Sequence, residues 1–475
     1  MATEADRRQL VEFFDNPADR ALLGLMYGRR RIGKSTLLVE ETSARRGFYY
    51  EATRVETPTQ LRRLGTSLGE YLGTGRLALD TWEEAVDALL RLGQERQVPV
   101  VLDEFGHILQ ADPAVDSILA AALGPAARAQ RSSGARLVLC GSAIAMMRSL
   151  TAGEAPLRGR ASLELVMQPD DFRVAATRLP SRDPALAVRV FSVIGGVVGY
   201  ATDMVAFDLP AVIDDFDRWV ADRVLSPASP LHHEATTLLA EDPTLSASSD
   251  LLHHAVLGAI ANGAVTAGTI SNQVGRPVSN LSPTINRLVD AGFVIRHEDP
   301  VRKQRPLYSL ADPYLQFHYA VLEPHRTALR SRDLPEVWSS RLQPTFDARV
   351  RGPVFEQMAR TWVERFVDPA DLGGSIDHVG PSFAMLDGVE RELDVVVASG
   401  DAAPGDRTIV GVGEAKAGDT ITARHVLHLE RARASFGTRA STAKLLLFGT
   451  DFDLTTDTRD RPDLVLVNLP RLYGL

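Results

Sequence analysis

Gly28-Arg-Arg-Arg-Ile-Gly33-Lys34-Ser35 follows the apolar run Leu22-Leu-Gly-Leu-Met-Tyr27 and precedes a helix-patterned segment from Lys34 to about Arg45. The string fits G-x-x-x-x-G-K-[ST] in full, and each residue type has a physical reason at its place. Glycines let the loop curl so that backbone N–H groups converge on phosphate oxygens, and a helix starting near Lys34 adds its positive dipole end. Lys34 is placed to reach the β/γ oxygens of a triphosphate, and the Ser35 hydroxyl to ligate Mg²⁺. The nucleotide-binding candidates in this segment are Gly28, Arg31, Gly33, Lys34, Ser35 and Thr36. A strand before and a helix after are the context such a loop requires. A chance glycine-rich turn is the bland alternative.

Around the loop, apolar runs alternate with helical patterns. Phe48-Tyr-Tyr50, Val98-Pro-Val-Val-Leu102, Arg136-Leu-Val-Leu-Cys140 and Ser162 to Met167 read as strands, with helices at Leu61 to Leu72, Trp82 to Leu92 and Val115 to Ala129. This alternation predicts a mainly parallel sheet covered on both faces. Val100-Val-Leu-Asp103-Glu104 supplies the acidic strand end that a nucleotide loop needs. There Asp103 would hold the Mg²⁺ hydration shell and Glu104 would orient or deprotonate the attacking water. A surface Asp-Glu pair is the plainer reading. Ser142, at the end of the next strand, could contact the γ-phosphate or the water, although an ordinary turn serine fits as well. Arg158 and Arg160 are candidates for charge stabilisation, with solvated arginines as the alternative.

The chain has 475 residues, long enough for two to four domains. Its apolar fraction of 45% and charged fraction of 24% exclude whole-chain disorder. A net charge of −9 excludes a polycation that coats nucleic acid, so any such contact must come from a local patch. One cysteine, Cys140, excludes an intramolecular disulfide framework and fits a reducing compartment. No apolar signal core opens the chain, and Val190 to Phe207 is too polar and glycine-rich for a membrane span, so a cytoplasmic location is expected. There are four lysines against 48 arginines. Two of the four, Lys34 and Lys416, fall in chemistry-bearing motifs, where a compact ammonium differs from guanidinium.

The string Tyr27-Gly-Arg-Arg-Arg-Ile-Gly-Lys-Ser-Thr-Leu-Leu38, the Leu-Asp-Glu-Phe105 strand end, Leu139-Cys-Gly-Ser142 and Arg158-Gly-Arg160 together resemble the archaeal-type ATPases, on the AAA+/STAND side of the P-loop proteins. The resemblance implies a five-stranded core binding ATP with Mg²⁺, followed by a helical lid. Gly195-Gly-Val-Val-Gly-Tyr200 resembles that family's G-G-x-P-x-Y lid motif, with valine where proline is usual.

Residues from about Asp170 to Pro243 read as helical. Ala267 to Val274, Gly275-Arg-Pro277 and Ser279 to Ala291 then read as helix–turn–helix, followed by wing strands Gly292-Phe-Val-Ile295 and Leu307-Tyr-Ser-Leu310. The second helix, with Asn280, Ser282, Thr284, Asn286 and Arg287, suits a DNA major groove, and Arg296, Arg302, Lys303 and Arg305 of the wing suit phosphates. A packing or partner module is the alternative, given Glu298 and Asp299 in the same wing.

Arg391-Glu-Leu-Asp394-Val-Val-Val397 and Val412-Gly-Glu414-Ala-Lys416 read as neighbouring strands that bring Asp394 beside Glu414, with Glu414 and Lys416 on one face. Two carboxylates suit Mg²⁺ and a lysine suits charge building on a phosphoryl group; Glu356, on the preceding helix, is a fourth candidate. The layout resembles the restriction-endonuclease-like, PD-(D/E)XK superfamily, which implies metal ligands at Asp394 and Glu414, a catalytic Lys416 and a helix acid at Glu356. Solvated strand ends and a lapsed nuclease fold are the alternatives.

The expected architecture is multidomain α/β. It comprises a P-loop parallel-sheet ATPase core (1–170), a helical lid (171–250), a winged helix (251–325) and a C-terminal α/β restriction-endonuclease-like domain (326–475). The expected activity is Mg²⁺-dependent ATP hydrolysis whose nucleotide state controls a DNA-handling C-terminal half, with Glu104, Lys34, Arg160 and Lys416 as catalytic residues. An ATP-switched DNA-binding regulator or STAND-type scaffold with an inactive nuclease-like domain is the alternative. Nucleotide-dependent self-association is a further expectation.

Overall fold

The computed structural model describes residues 4–130, 133–246, 250–303 and 305–475. Strands β1 (Leu22–Tyr27), β2 (Phe48–Glu51), β3 (Val98–Asp103), β4 (Ala135–Gly141) and β5 (Ala161–Val166) form a parallel sheet in the order β2-β3-β4-β1-β5. Every residue of β1, β3 and β4 is buried, which is why these strands read as unbroken apolar runs. Because β4 lies between β1 and β3, the loop leaving β1 and the acidic end of β3 flank Ser142 at one edge of the sheet. Ligands of such sheets bind at that carboxyl edge.

The helix expected over Val115 to Ala129 is two helices, Val115–Ala122 and Pro125–Gln130. Pro125 has no N–H to continue the ladder, so the first helix closes on itself through Leu123 N to Leu119 O, 3.0 Å. Beyond the sheet, Pro184–Ile194 begins on an Asp183 cap and runs into Gly195. At Gly196 a Cβ would fall on the Asp170 carbonyl, so the glycine lets this turn pack directly on the chain leaving the sheet. The lid turns that follow are wide, with Val205 N bonding Tyr200 O at 3.1 Å, and the helix Leu231–Glu241 comes next.

Helices Asp250–Ala261, Ala267–Val274 and Val278–Asp290 precede the antiparallel pair β6 (Val294–His297) and β7 (Leu307–Leu310). Thr266 and Thr269 cap the middle helix reciprocally, and Gly275, at φ 70°, ends it. The first wing strand starts two residues later than expected, since Gly292 takes φ 76° to turn the chain out of the helix.

The C-terminal sheet contains β8 (His378–Leu386), β9 (Val389–Ser399), β10 (Thr408–Thr422), β11 (Lys444–Asp453) and β12 (Leu464–Val467), in the order β12-β11-β10-β9-β8. The first three are antiparallel neighbours, and β10, β11 and β12 run parallel. Helices Gly352–Arg365 and Ala423–Ser435 pack on this sheet. One apolar core runs from Leu10 to Leu472 and links the first sheet to the last helix. At that closure Phe172 meets Tyr473 edge-on at 5.3 Å and Arg173 Nε donates to Leu472 O at 2.8 Å. No helix among the described residues is long and apolar enough to cross a membrane.

Candidate functional site

The loop after β1 is curled by backbone requirements that few residues meet. Gly33 takes φ 94° at the N-terminus of the helix Lys34–Ala44, and Arg31 takes φ 66°. A Cβ on Gly28 would meet Ile32 Cδ1 at 2.6 Å and the Met167 carbonyl closer still. The curl leaves the first-turn amides of the helix without intrahelical partners. Lys34 is buried and folds back into the loop, its Nζ donating to Gly28 O and Arg29 O, each at 2.9 Å. Ser35 and Thr36 are exposed.

Asp103, fully buried, closes the second wall. Its Oδ2 accepts from Tyr49 Oη at 2.7 Å and its Oδ1 from the Glu104 amide at 2.8 Å. Ser35, in the first turn of the helix after the loop, stands exposed at the same edge of the sheet. Burial, then the Asp103 charge, pushes the Tyr49 phenol far above its ordinary range. The Ser35 hydroxyl and the Asp103 carboxylate are hard oxygen donors of the kind that fit Mg²⁺. Glu104 stands at φ 51°, and its Oε2 accepts from Ser142 Oγ at 3.1 Å, so the expected water-handling acid and the β4 serine form a pair.

Arg158 and Arg160 are spent locally: Arg158 Nη1 donates to Gly153 O at 2.8 Å and Arg160 Nε to Pro156 O at 3.3 Å. Among the described residues, neither hydrogen-bonds the loop after β1.

The loop's three arginines each reach a different acid. Arg29 Nη1 lies 2.9 Å from Asp312 Oδ2, Arg30 pairs with Glu241, and Arg31 lies 3.2 Å from Glu234 and 3.4 Å from Asp203. Arg31, expected among the nucleotide contacts, is thus engaged by the lid. Gly199 of the lid donates its amide to Arg31 O at 2.9 Å, and a Cβ there would come within 2.5 Å of Arg31 Cβ. Valine at position 198 does not prevent that approach. Between Arg29, Arg30, Ser142, Glu241 and Phe293 a cavity of about 30 Å³ remains, close to the space of one water.

In the C-terminal sheet, Val395 pairs with Gly413, which sets Asp394 next to Glu414. Asp394 Oδ2 accepts from Ala415 N at 2.8 Å, and Lys416 Nζ lies 2.9 Å from Glu414 Oε1. Burial pulls the Lys416 ammonium down, but Asp394 and Glu414 together carry it above an ordinary lysine. Burial pushes Asp394 up, against Lys416 and the Ala415 amide. Glu414 Oε2 is buried with no hydrogen-bond partner, an orphan that a cation would satisfy.

Glu356 shares the field of Asp394, and burial followed by that charge lifts its carboxyl to about 8. Burial and Asp394 thus both disfavour the ionised form in which Glu356, expected as a metal ligand, would serve a cation. Among the described residues, no three His, Cys, Asp or Glu side chains gather to hold a metal ion. Glu392 and Arg360 also belong to this cluster: Arg360 Nη1 donates to Asp394 O at 2.9 Å, and burial, then Asp394, raises Glu392.

The wing faces this domain. Ser382 Oγ donates to buried Asp299 at 2.8 Å, Arg407 Nη1 to Pro300 O at 3.2 Å, and Val301 enters the core under β9 and β10. Arg302 and Arg305 converge on Glu390, leaving Arg296 and Lys303 exposed. On the second helix Asn280, Asn286 and Arg287 are exposed, whereas Thr284 is buried and unavailable to a groove.

No family model matches the chain. A protein of Methanocaldococcus jannaschii, described as uncharacterized protein MJECL04, is 24% identical over 348 residues, covering 71% of this chain and 72% of that protein. The Walker-type ATPase PABY2304 of Pyrococcus abyssi aligns with a TM-score of 0.44 at 18% identity, covering 67% of this chain and 95% of that one. The ORC2 protein of Aeropyrum pernix, in its ADPNP–ADP complexes, gives 0.42 at 17% identity over 68% of this chain and 94% of its own. Similarities of this depth assign no activity.

Proposed function

We propose that the chain binds ATP with Mg²⁺ in the loop Gly28–Ser35 and hydrolyses it, and that the nucleotide state is passed to a winged helix and a nuclease-like C-terminal half acting on DNA. The observation that carries the first part is the loop curled at Gly28 and Gly33 around buried Lys34, at the same sheet edge as buried Asp103. The loop amides and helix N-terminus bind the phosphates. Lys34 exchanges its two loop carbonyls for phosphate oxygens, and Ser35 and Asp103 hold the cation. Bound Mg²⁺ supplies neutralisation of the polyphosphate charge. Glu104, steadied by Ser142, orients the attacking water and takes its proton.

The arginine contacts to Asp312, Glu241, Glu234 and Asp203 support the coupling, because phosphate and lid acids draw on the same loop. A nucleotide shifts that balance only by binding the two arrangements unequally.

In the C-terminal half, Asp394 and the orphan Oε2 of Glu414 favour a divalent cation and hence phosphodiester hydrolysis, with Lys416 stabilising phosphoryl charge. Bound there, the cation supplies an activated water.

Titration with ATP and Mg²⁺ tests the first reading: Lys34→Ala should lose most affinity, and Glu104→Gln should keep binding but lose turnover. Unchanged affinity in Lys34→Ala overturns it. DNA cleavage with Mg²⁺ or Mn²⁺, present in the wild type and absent in Asp394→Ala and Lys416→Ala, tests the second. No cleavage by any form leaves an ATP-switched regulator, and sizing with and without ATP reports self-association.

A further inference from the structure

Arg360 lies outside the residues that the C-terminal pattern names, yet it holds one of them by the backbone. It stands one turn beyond Glu356 on the helix Gly352–Arg365, is buried, and its Nη1 donates to the Asp394 carbonyl at 2.9 Å. Its Nε is buried with no hydrogen-bond partner among the described residues. Keeping a guanidinium out of water with an idle donor costs free energy. The carbonyl it holds is at an irregular point of the sheet.

Gly380 pairs with Val396 and Ser382 with Leu393, so Asp394 and Val395 of β9 together oppose Pro381 alone. That is a bulge, which bends its strand and re-aims a side chain. Pro381 has no N–H, so β8 offers β9 no amide at this point. Arg360 supplies a donor from the helix instead. On the other flank, Ala415 N donates to Asp394 Oδ2 at 2.8 Å. The main chain and the side chain of Asp394 are thus each tied by a bond, beside Glu414 in the β9–β10 register.

We propose that Arg360 is a positioning residue for a divalent cation at Asp394 and Glu414, pinning the β9 bulge so that the Asp394 carboxylate stays where both acids can share the ion. This rests on the reading of that pair as a cation site. The guanidinium has two opposed effects there. Its charge repels a cation, and its bond to the carbonyl keeps a ligand in place. Removing it therefore tightens cation binding if the charge dominates and weakens binding if the bond does.

The test is the Mn²⁺ affinity of the full chain without nucleotide, read from the paramagnetic resonance signal of free Mn²⁺. Binding that Asp394→Ala abolishes belongs to this site. Arg360→Met keeps the aliphatic stem and removes the guanidinium, and its affinity should fall about tenfold, the lower end for groups that orient metal ligands. Arg360→Lys, which keeps the charge and can give the carbonyl one bond, should bind within about threefold of the wild type. Circular dichroism and thermal unfolding establish that each variant is folded at the titration temperature. Unchanged or tighter binding in Arg360→Met overturns the proposal. So does an Arg360→Lys as weak as Arg360→Met, which would mark Arg360 as a packing residue of its helix. Should Arg360→Met fail to fold, Arg360→Lys decides alone, and a tenfold loss there overturns the proposal. If wild type and Asp394→Ala bind Mn²⁺ equally, the cation reading itself has failed and the proposal falls with it.

Discussion

Arg29 Nη1 sits 2.9 Å from Asp312 Oδ2 with both side chains buried, which ties the loop after β1 to the residue that leads from β7 into the next helix. Asp312 also caps that helix, accepting from Tyr314 N at 2.9 Å, and crowds Gly195, where a Cβ would come within 2.8 Å of its Oδ1. Burial lifts the Asp312 carboxyl above its usual range despite the guanidinium beside it. One carboxylate thus joins the loop after β1, the turn at Gly195 and the end of the β6–β7 hairpin.

Asp312→Ala strands a buried guanidinium, and breaking such a pair from one side costs about 3–5 kcal/mol. The thermal midpoint should fall clearly in this variant. Replacing both partners with apolar groups, Arg29→Met with Asp312→Leu, should recover part of the loss, since no unpaired charge remains. A double-mutant cycle with no coupling between the two positions would show that the bridge does not join the two modules energetically.

Under the proposed nucleotide reading, Glu234 competes with phosphate for Arg31. It is nearly inaccessible, 3% exposed, and lies 3.2 Å from Arg31 Nε on the lid helix. A nucleotide that needs Arg31 must displace it. Glu234→Gln keeps the shape and removes the charge, so ATP affinity should rise several-fold, the scale of about 1 kcal/mol for a charged hydrogen bond exchanged for a neutral one. An ATP titration reads this directly, and weaker binding in Glu234→Gln would mean that Glu234 supports Arg31 rather than competing for it.

Local spacing carried the curled loop after β1, the parallel sheet, the two short helices with their hairpin and the adjacency of Asp394 and Glu414, because each is a pattern within a few residues or between adjacent strands. The partners of Arg29, Arg30 and Arg31 are acids from Asp203 onward, far along the chain, and nothing near an arginine marks such a partner. Tyr49 reads as a strand aromatic because its hydroxyl's use depends on which strand lies beside β2. Strand β8 is hidden by Gly380-Pro-Ser382, which pack against the wing rather than alternate, and β12 is only four residues long. The wing shows the opposite failure. Its arginines read as free cations until β9 brings Glu390 against them.

That pairing bears on the proposed contact with DNA. Arg302 and Arg305 share one carboxylate, and Glu390→Gln would release both. Each additional phosphate contact steepens the dependence of log affinity on log salt by about 0.9, so two released guanidiniums should steepen it by up to roughly 2. Binding of a duplex to wild type and Glu390→Gln at several salt concentrations measures this. Equal slopes would show that the wing does not reach the DNA backbone.

Glu356 sets a pH dependence whose sign is fixed. Its carboxyl, normally near 4.5, is raised to about 8 in the fold by burial and then by Asp394. Between those values the folded chain keeps a proton that the unfolded chain has released, so stability falls as pH rises through that window. The contribution is fully present below the unfolded value and lost as pH passes about 8. Glu356→Gln cannot ionise, and its unfolding midpoint should therefore lose the decline from mildly acidic to mildly alkaline pH that the wild type shows. A cation held by Asp394 and Glu414 would add positive charge beside the same group and drive its proton off. Mn²⁺ binding near pH 7 should then release roughly one proton from the wild type and fewer from Glu356→Gln, measurable as a buffer-dependent heat by calorimetry. Equal proton release from both proteins would place the titrating group elsewhere.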